Sequence, residues 1–302
     1  MHAAVNRYAS RGHKQARLID RVDPVVYSNN SVAGPLAPEF IEEYIENGFV
    51  LIEGLFTDEE IHALQQETVR LRDDPETRLM QETITEPGNG EVRSVFMVHA
   101  NNTLFRRLAA DPRLAGIAQY ILNDDVYIHQ SRLNYKPGFR GKEFYWHADF
   151  ETWHMEDGMP AMRALSISVT LTENLACNGP LMLIPGSHME YAVCPGVTPD
   201  AHYKQSLKKQ GYGIPDDLCL GNLVARHGIA LATGKPGTVV IFDCNTMHGS
   251  GSNITPYPRS NVFYVYNAIS NRLETPISGQ PPRPEYIAGR KDIEIIPRRI
   301  PS

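Results

Sequence analysis

Cysteine is scarce. There are 4 in 302 residues, and none forms a C-x-x-C pair. This excludes a disulfide scaffold and a cysteine-held zinc site, and the four are read as free thiols of a reducing cytoplasm. A basic excess is missing too: 29 Lys and Arg against 35 Asp and Glu leave a net charge of −6. A general nucleic-acid binder is therefore not expected. No apolar run approaches the ~20 residues that a membrane helix needs. The N-terminal stretch carries Arg7, Arg11, Lys14, Arg17 and Arg21 but no apolar segment, so it does not read as a secretory signal and is expected to be a solvated arm over residues 1–30. No repeat of 20–50 residues and no low-complexity block occurs, which disfavours solenoids and propellers. What is present is an ordinary globular composition, 42% hydrophobic and 21% charged, in a chain long enough to bury a core unaided.

Two textures follow one another along the chain. Residues 35–122 read as a mostly helical layer. A short amphipathic helix runs from Pro38 to near Gly48, and Phe49 to Ile52 is strand-like. Thr57 and Glu60 form a capping box, with Ile61, Leu64, Thr68 and Leu71 following at helical spacing; a further helical stretch covers about 102–122. From Val126 to about residue 270, short apolar runs alternate with Gly/Pro/Asn turns, the texture of a β-sandwich or barrel. Long apparent loops at 150–162 and 190–227 interrupt it, and loops of that length are usually functional. Residues 275–302 are Pro/Arg-rich and read as an extended C-terminal extension. No clean linker is visible, so one domain is expected: mainly β, with flanking helices.

The most informative segment is Phe144-Tyr145-Trp146-His147-Ala148-Asp149-Phe150. Residues two apart on a strand share a side, so His147 and Asp149 can aim at one point. Far downstream, Asn245-Thr246-Met247-His248-Gly249-Ser250 places His248 just past an apolar strand. Two histidines and a carboxylate make the facial triad of a non-haem Fe(II). Alone, an H-x-D pair is most often a surface histidine beside an acid. Three further features change that weighing: the small-residue turn around His248, Arg259 eleven residues on, and the two-residue spacing of Gln130, Arg132 and Asn134. That stripe faces either solvent or a barrel interior. A guanidinium at Arg259 can fork onto the far carboxylate of 2-oxoglutarate, and Ser250 can add a hydroxyl. His188 is the rival distal ligand, but no arginine follows it at that spacing. His129 is placed on the strand face opposite Gln130. With His154, His202 and His227 it receives no role.

These residues resemble the phytanoyl-CoA dioxygenase-like branch of the Fe(II)/2-oxoglutarate oxygenases, and within it the ectoine hydroxylases. The likeness is carried by residues 144–163, by Gln130-Ser131-Arg132-Leu133-Asn134 and by the Pro185-Gly186-Ser187-His188 loop. It runs from about 35 to 290. It implies a double-stranded β-helix (jelly-roll, cupin-like) core and hydroxylation of ectoine to 5-hydroxyectoine, a compatible solute. It implies Fe(II), 2-oxoglutarate and O2 as the metal and co-substrates, and a cytoplasmic homodimer. His147, Asp149 and His248 match the iron ligands; Arg259, Ser250, Asn134, Arg132 and Ser166 the oxoglutarate site; Gln130, Thr152, Trp153, Phe263 and Arg283 the positions that hold ectoine. Ectoine carries a cationic amidine and a carboxylate. Trp153 and Phe263 can face the first, and Arg283 the second if the tail folds back over the barrel mouth. A hydroxylase of another amino-acid-like solute, or a β-barrel that binds metal or solute without catalysis, remain alternatives.

Overall fold

The computed structural model describes residues 6–12, 15–28, 34–86, 90–206 and 211–298. Its centre is a double-stranded β-helix built from two antiparallel sheets. The larger runs in the order Phe49–Ile52, Val239–Asp243, Ala164–Thr170, Arg259–Ala268, Val126–Lys136, Val92–Phe96, Thr83–Thr85. The smaller runs Ala230–Ala232, Leu181–Leu183, His248–Ser250, Phe144–His147. Alternation within one strand shows how they sit. Val239 and Ile241 pack among the helices, whereas Val240 and Phe242 join Leu181, Leu183 and Ala232 of the smaller sheet. Each larger-sheet strand thus has one face for the helical layer and one for the barrel interior.

The helices follow their local signals. Asp58–Asp73 starts on the expected capping box: Thr57 Oγ1 accepts from Glu60 N–H, and the Glu60 carboxylate accepts from Thr57 N–H at 2.8 Å. Pro38–Asn47 ends at Gly48, whose φ of 79° suits glycine. A Cβ there would lie 2.4 Å from His188 Nδ1. The stretch 102–122 is not one helix. It divides into Thr103–Ala109 and Pro112–Leu122, because Pro112 cannot extend the first and Asp111 caps the second by accepting from Arg113 N–H.

Three expectations are corrected. The described part of the N-terminal arm is packed onto the protein at several points: Tyr8, Ser10 and Arg11 are buried, and Arg17–Asp20 pairs with Glu190–Val193, while residues 1–5, 13–14 and 29–30 lie outside the described residues. Residues 150–162 are not a structureless loop, since Asp149–Thr152 is α-helical and Trp153–Asp157 continues it as a π-turn. The span 190–227 likewise contains a strand and the helices Tyr203–Ser206 and Asp217–His227. Among its described residues the tail is stitched to the barrel: Ile295–Ile296 pairs with Tyr127 and Val126, and Gly289 N–H donates to the His129 carbonyl at 2.8 Å.

Candidate metal centre and anion socket

His147 ends one strand and His248 begins another, and the ladder sets them opposite each other. Their ring centroids lie 4.3 Å apart. Ala148 keeps an extended backbone (φ −107°, ψ 128°) before Asp149 opens the helix, so the two-residue alternation survives the end of the strand. Asp149 Oδ1 lies 3.7 Å from His147 Nε2, and Oδ2 lies 3.8 Å from His248 Nε2. Ligand atoms of all three fall within 4.8 Å of one another.

The outer ring nitrogens fix the tautomers. His147 Nδ1 is 2.6 Å from the Tyr145 carbonyl and His248 Nδ1 is 2.9 Å from the Thr246 carbonyl. A carbonyl only accepts, so each Nδ1 carries the proton and each Nε2 turns a lone pair inward. Burial, then the neighbouring His248, hold the His147 pKa down at about 4 against the pull of Asp149. At neutral pH His147 is a neutral donor. Two imidazole nitrogens, one carboxylate and no thiolate suit Fe(II). Ser166 Oγ stands 3.5 Å from Asp149 Oδ2 and so touches the carboxylate of the cluster.

A second feature lies deeper in the barrel. Arg259 is buried, yet its one hydrogen bond among the described residues is Nη1 to Asn261 Oδ1 at 3.4 Å, and its Nε has no partner. Burial lowers its pKa to about 10. Lys136 stands opposite it in the ladder. Lys136 Nζ donates to Ser250 Oγ at 2.8 Å and to the Gly251 carbonyl at 2.6 Å. Burial, with Arg259 and Arg93 nearby, lowers the Lys136 pKa to about 6. Among the described residues no carboxylate forms an ion pair with either side chain. A buried guanidinium without an anionic partner costs several kcal/mol, and an arriving anion offsets that. Sequence reading missed Lys136, although it continues the two-residue series Gln130, Arg132, Asn134.

Above the metal centre, a cavity opening on His147 and Asp149 is lined by Gln130, Arg132, Thr152, Trp153 and Arg283, with Ser94, Phe96 and Phe144. The tail therefore does reach the barrel mouth. Gln130 helps hold it there, its Nε2 donating to the Ile287 carbonyl at 2.7 Å. Arg132 has a buried Nε without a partner, and its guanidinium sits 5.3 Å from the Phe263 ring centre. Phe263 thus faces a protein cation and belongs to the apolar cluster between the sheets; it is not among the residues lining this cavity. Asn134 Oδ1 accepts from Ser94 Oγ at 2.8 Å. His188 is not part of the cluster; its Nε2 lies 3.0 Å from the Ile45 carbonyl.

His129 departs from its expected face. The ladder pairs Val265 with Gln130 but Tyr266 with Ile128, leaving His129 as a bulge. The bulge turns its ring inward, where it meets Trp153 edge-on at 5.2 Å.

The comparisons with known proteins agree with this geometry. Residues 44–261 match the family model of phytanoyl-CoA dioxygenase (PhyH). The ectoine dioxygenase of Bordetella bronchiseptica is 55% identical over 293 residues, covering 97% of this chain and 95% of that protein. The crystal structure of EctD from S. alaskensis with 2-oxoglutarate and 5-hydroxyectoine superposes with a TM-score of 0.85 at 49% identity, covering 94% of each chain. The crystal structure of the same protein with bound Fe gives 0.85 at 48% identity, over 95% of this chain and 96% of that one. Relatives this similar over nearly the whole length, on a barrel that brings two histidines and an aspartate together, establish that the chain belongs to the phytanoyl-CoA dioxygenase family.

Proposed function

We propose that this protein hydroxylates ectoine to 5-hydroxyectoine, using Fe(II), 2-oxoglutarate and O2 and releasing succinate and CO2. One observation carries the proposal. The cluster His147, Asp149, His248 opens onto a cavity that also holds Trp153, Gln130 and Arg283, as a small zwitterionic ring requires. Bound at the cluster, Fe(II) with 2-oxoglutarate supplies the oxidising chemistry: O2 is consumed, oxoglutarate loses CO2 to become succinate, and one oxygen atom enters a C–H bond of the substrate.

The chain's own residues bind and orient. Arg259, Lys136 and the Ser250 hydroxyl hold the far carboxylate of oxoglutarate, with Arg132, Asn134 and Ser166 along its path. Trp153 offers a ring face to the amidinium, while Gln130, Thr152 and Arg283 fix the rest of the ectoine ring. The stitched tail and the short helix cover the cavity and keep bulk water from the reacting centre. The same reading makes the protein a cytoplasmic homodimer, supported by its family resemblance. No described helix is long and apolar enough to cross a membrane. Aerobic incubation with ectoine, Fe(II) and oxoglutarate, read by mass analysis, tests the reaction. A gain of one oxygen by ectoine, with one succinate per product, is expected; oxoglutarate turnover with another solute but not with ectoine rejects the substrate.

Lys136 gives oxoglutarate binding a pH dependence. In the free protein its pKa lies at about 6, and an adjacent carboxylate favours the charged ammonium and raises it. Binding near neutral pH therefore takes up a proton. Affinity strengthens as pH falls from about 8 and levels off below about 6, where the free protein already carries the charge. Calorimetry in buffers of different ionisation heat reads the uptake directly, and Lys136→Met should abolish it. Zero uptake by the parent at about pH 7 contradicts this role.

A further inference from the structure

The short helix that begins with Asp149 ends in a carboxylate used by neither the metal cluster nor the anion socket. Asp157 is completely buried. Arg283 Nε donates to its Oδ1 at 2.7 Å and Nη2 to its Oδ2 at 2.5 Å. His129 Nε2 stands 3.4 Å from Oδ2, and Arg290 Nη2 donates to the Asp157 backbone carbonyl at 2.5 Å. Burial resists ionisation, but Arg283 and then His129 outweigh it and hold the carboxyl at about 2. The group is an anion under all ordinary conditions.

A two-bond fork locks the plane of a guanidinium as a single contact cannot. With Nε and Nη2 engaged by Asp157, Nη1 is the Arg283 nitrogen left outside the fork. Arg283 lines the cavity beside Trp153 and Gln130. His129, on its bulge, touches both Asp157 and the edge of the Trp153 ring. One buried anion therefore abuts the supports of both substrate-facing side chains.

We propose that Asp157 is a positioning residue for the substrate, holding Arg283 in the one orientation that presents Nη1 to the substrate carboxylate while Trp153 takes the ring. This rests on the reading that the substrate carries a carboxylate. It also assigns the charge. Asp157 neutralises Arg283, so Nη1 contributes direction, and Arg132 is the cavity cation with no ion-pair partner within contact distance among the described residues. Loss of Asp157 sets the substrate ring askew without touching the oxoglutarate socket, and a displacement of about 1 Å is costly at a reacting centre.

The test measures coupling, the hydroxylated product formed per succinate released, for the parent, Asp157→Asn, Arg283→Gln and the double variant. Asp157→Asn is expected to lower coupling by about fivefold or more with the oxoglutarate KM within about twofold of the parent. The double variant is expected to match Arg283→Gln alone, because Asp157 acts through the arginine. Parental coupling and ectoine KM in Asp157→Asn overturn the proposal. If Asp157→Asn fails to fold because its arginine is left unpaired, the double variant, which removes that cation, decides. Coupling equal to Arg283→Gln supports the proposal, and a further additive loss overturns it. A parent that leaves ectoine untouched overturns the substrate reading and this inference together; a working parent isolates Asp157.

Discussion

His147→Ala is expected to abolish stoichiometric iron binding and to reduce turnover by at least about 10³-fold while leaving the fold in place. His147 ends an edge strand of the smaller sheet and is half-buried. Its one local hydrogen bond is to the Tyr145 carbonyl, which water can replace. Truncation at this rim leaves no large apolar void, so the stability cost is about 1 kcal/mol. The metal cost is of another order, because only Asp149 and His248 remain to hold the ion. Anaerobic Fe(II) titration and succinate detection check both halves. Full iron occupancy in a folded variant rejects His147 as a ligand.

Arg259→Gln is expected to separate stability from function. The parent buries a guanidinium with no anionic partner among the described residues, a state that costs free energy until an anion arrives. Glutamine removes that cost, so the ligand-free variant should be as stable as the parent or more stable by about 1–3 kcal/mol. The oxoglutarate KM should rise by about 10²-fold, the value of a lost charge-assisted fork, with the ectoine KM little changed. Thermal melts with and without oxoglutarate give a second readout. Ligand that binds only the folded state raises Tm, so oxoglutarate should stabilise the parent strongly and the variant hardly at all. Equal Tm shifts in both remove Arg259 from the clamp.

The metal centre was legible in the sequence for a physical reason. Ala148 is extended, so the spacing of His147 and Asp149 puts both on one side, and an apolar strand delivers His248 to the same end of the barrel. The polar stripe Gln130, Arg132, Asn134 likewise kept its period. Reading stopped too early there, because Lys136 is the next member. Where backbone geometry leaves its regular period, sequence reading failed. The bulge at His129 shifts the parity of its strand, which no composition signal announces. The π-turn Trp153–Asp157 breaks helical spacing, so a helix bearing three buried carboxylates read as a loop. Phe263 does face the barrel interior, but Arg132 lies over it, an arrangement visible only once the strands are paired.

The packed N-terminal residues share that helix with the tail. Arg11 grips Glu151 through Nε at 3.0 Å and Nη2 at 2.8 Å, and Glu156 through Nη1 at 2.7 Å, reaching across 140 residues of chain in the first case. Arg283 closes on Asp157 from 126 residues in the other direction. During synthesis the Arg11 contacts can close once Glu151 and Glu156 have been made, whereas the fork on Asp157 waits for a further 126 residues. Contacts that close over such long stretches of chain slow folding, so the segment 149–157 is expected to gain its final order late.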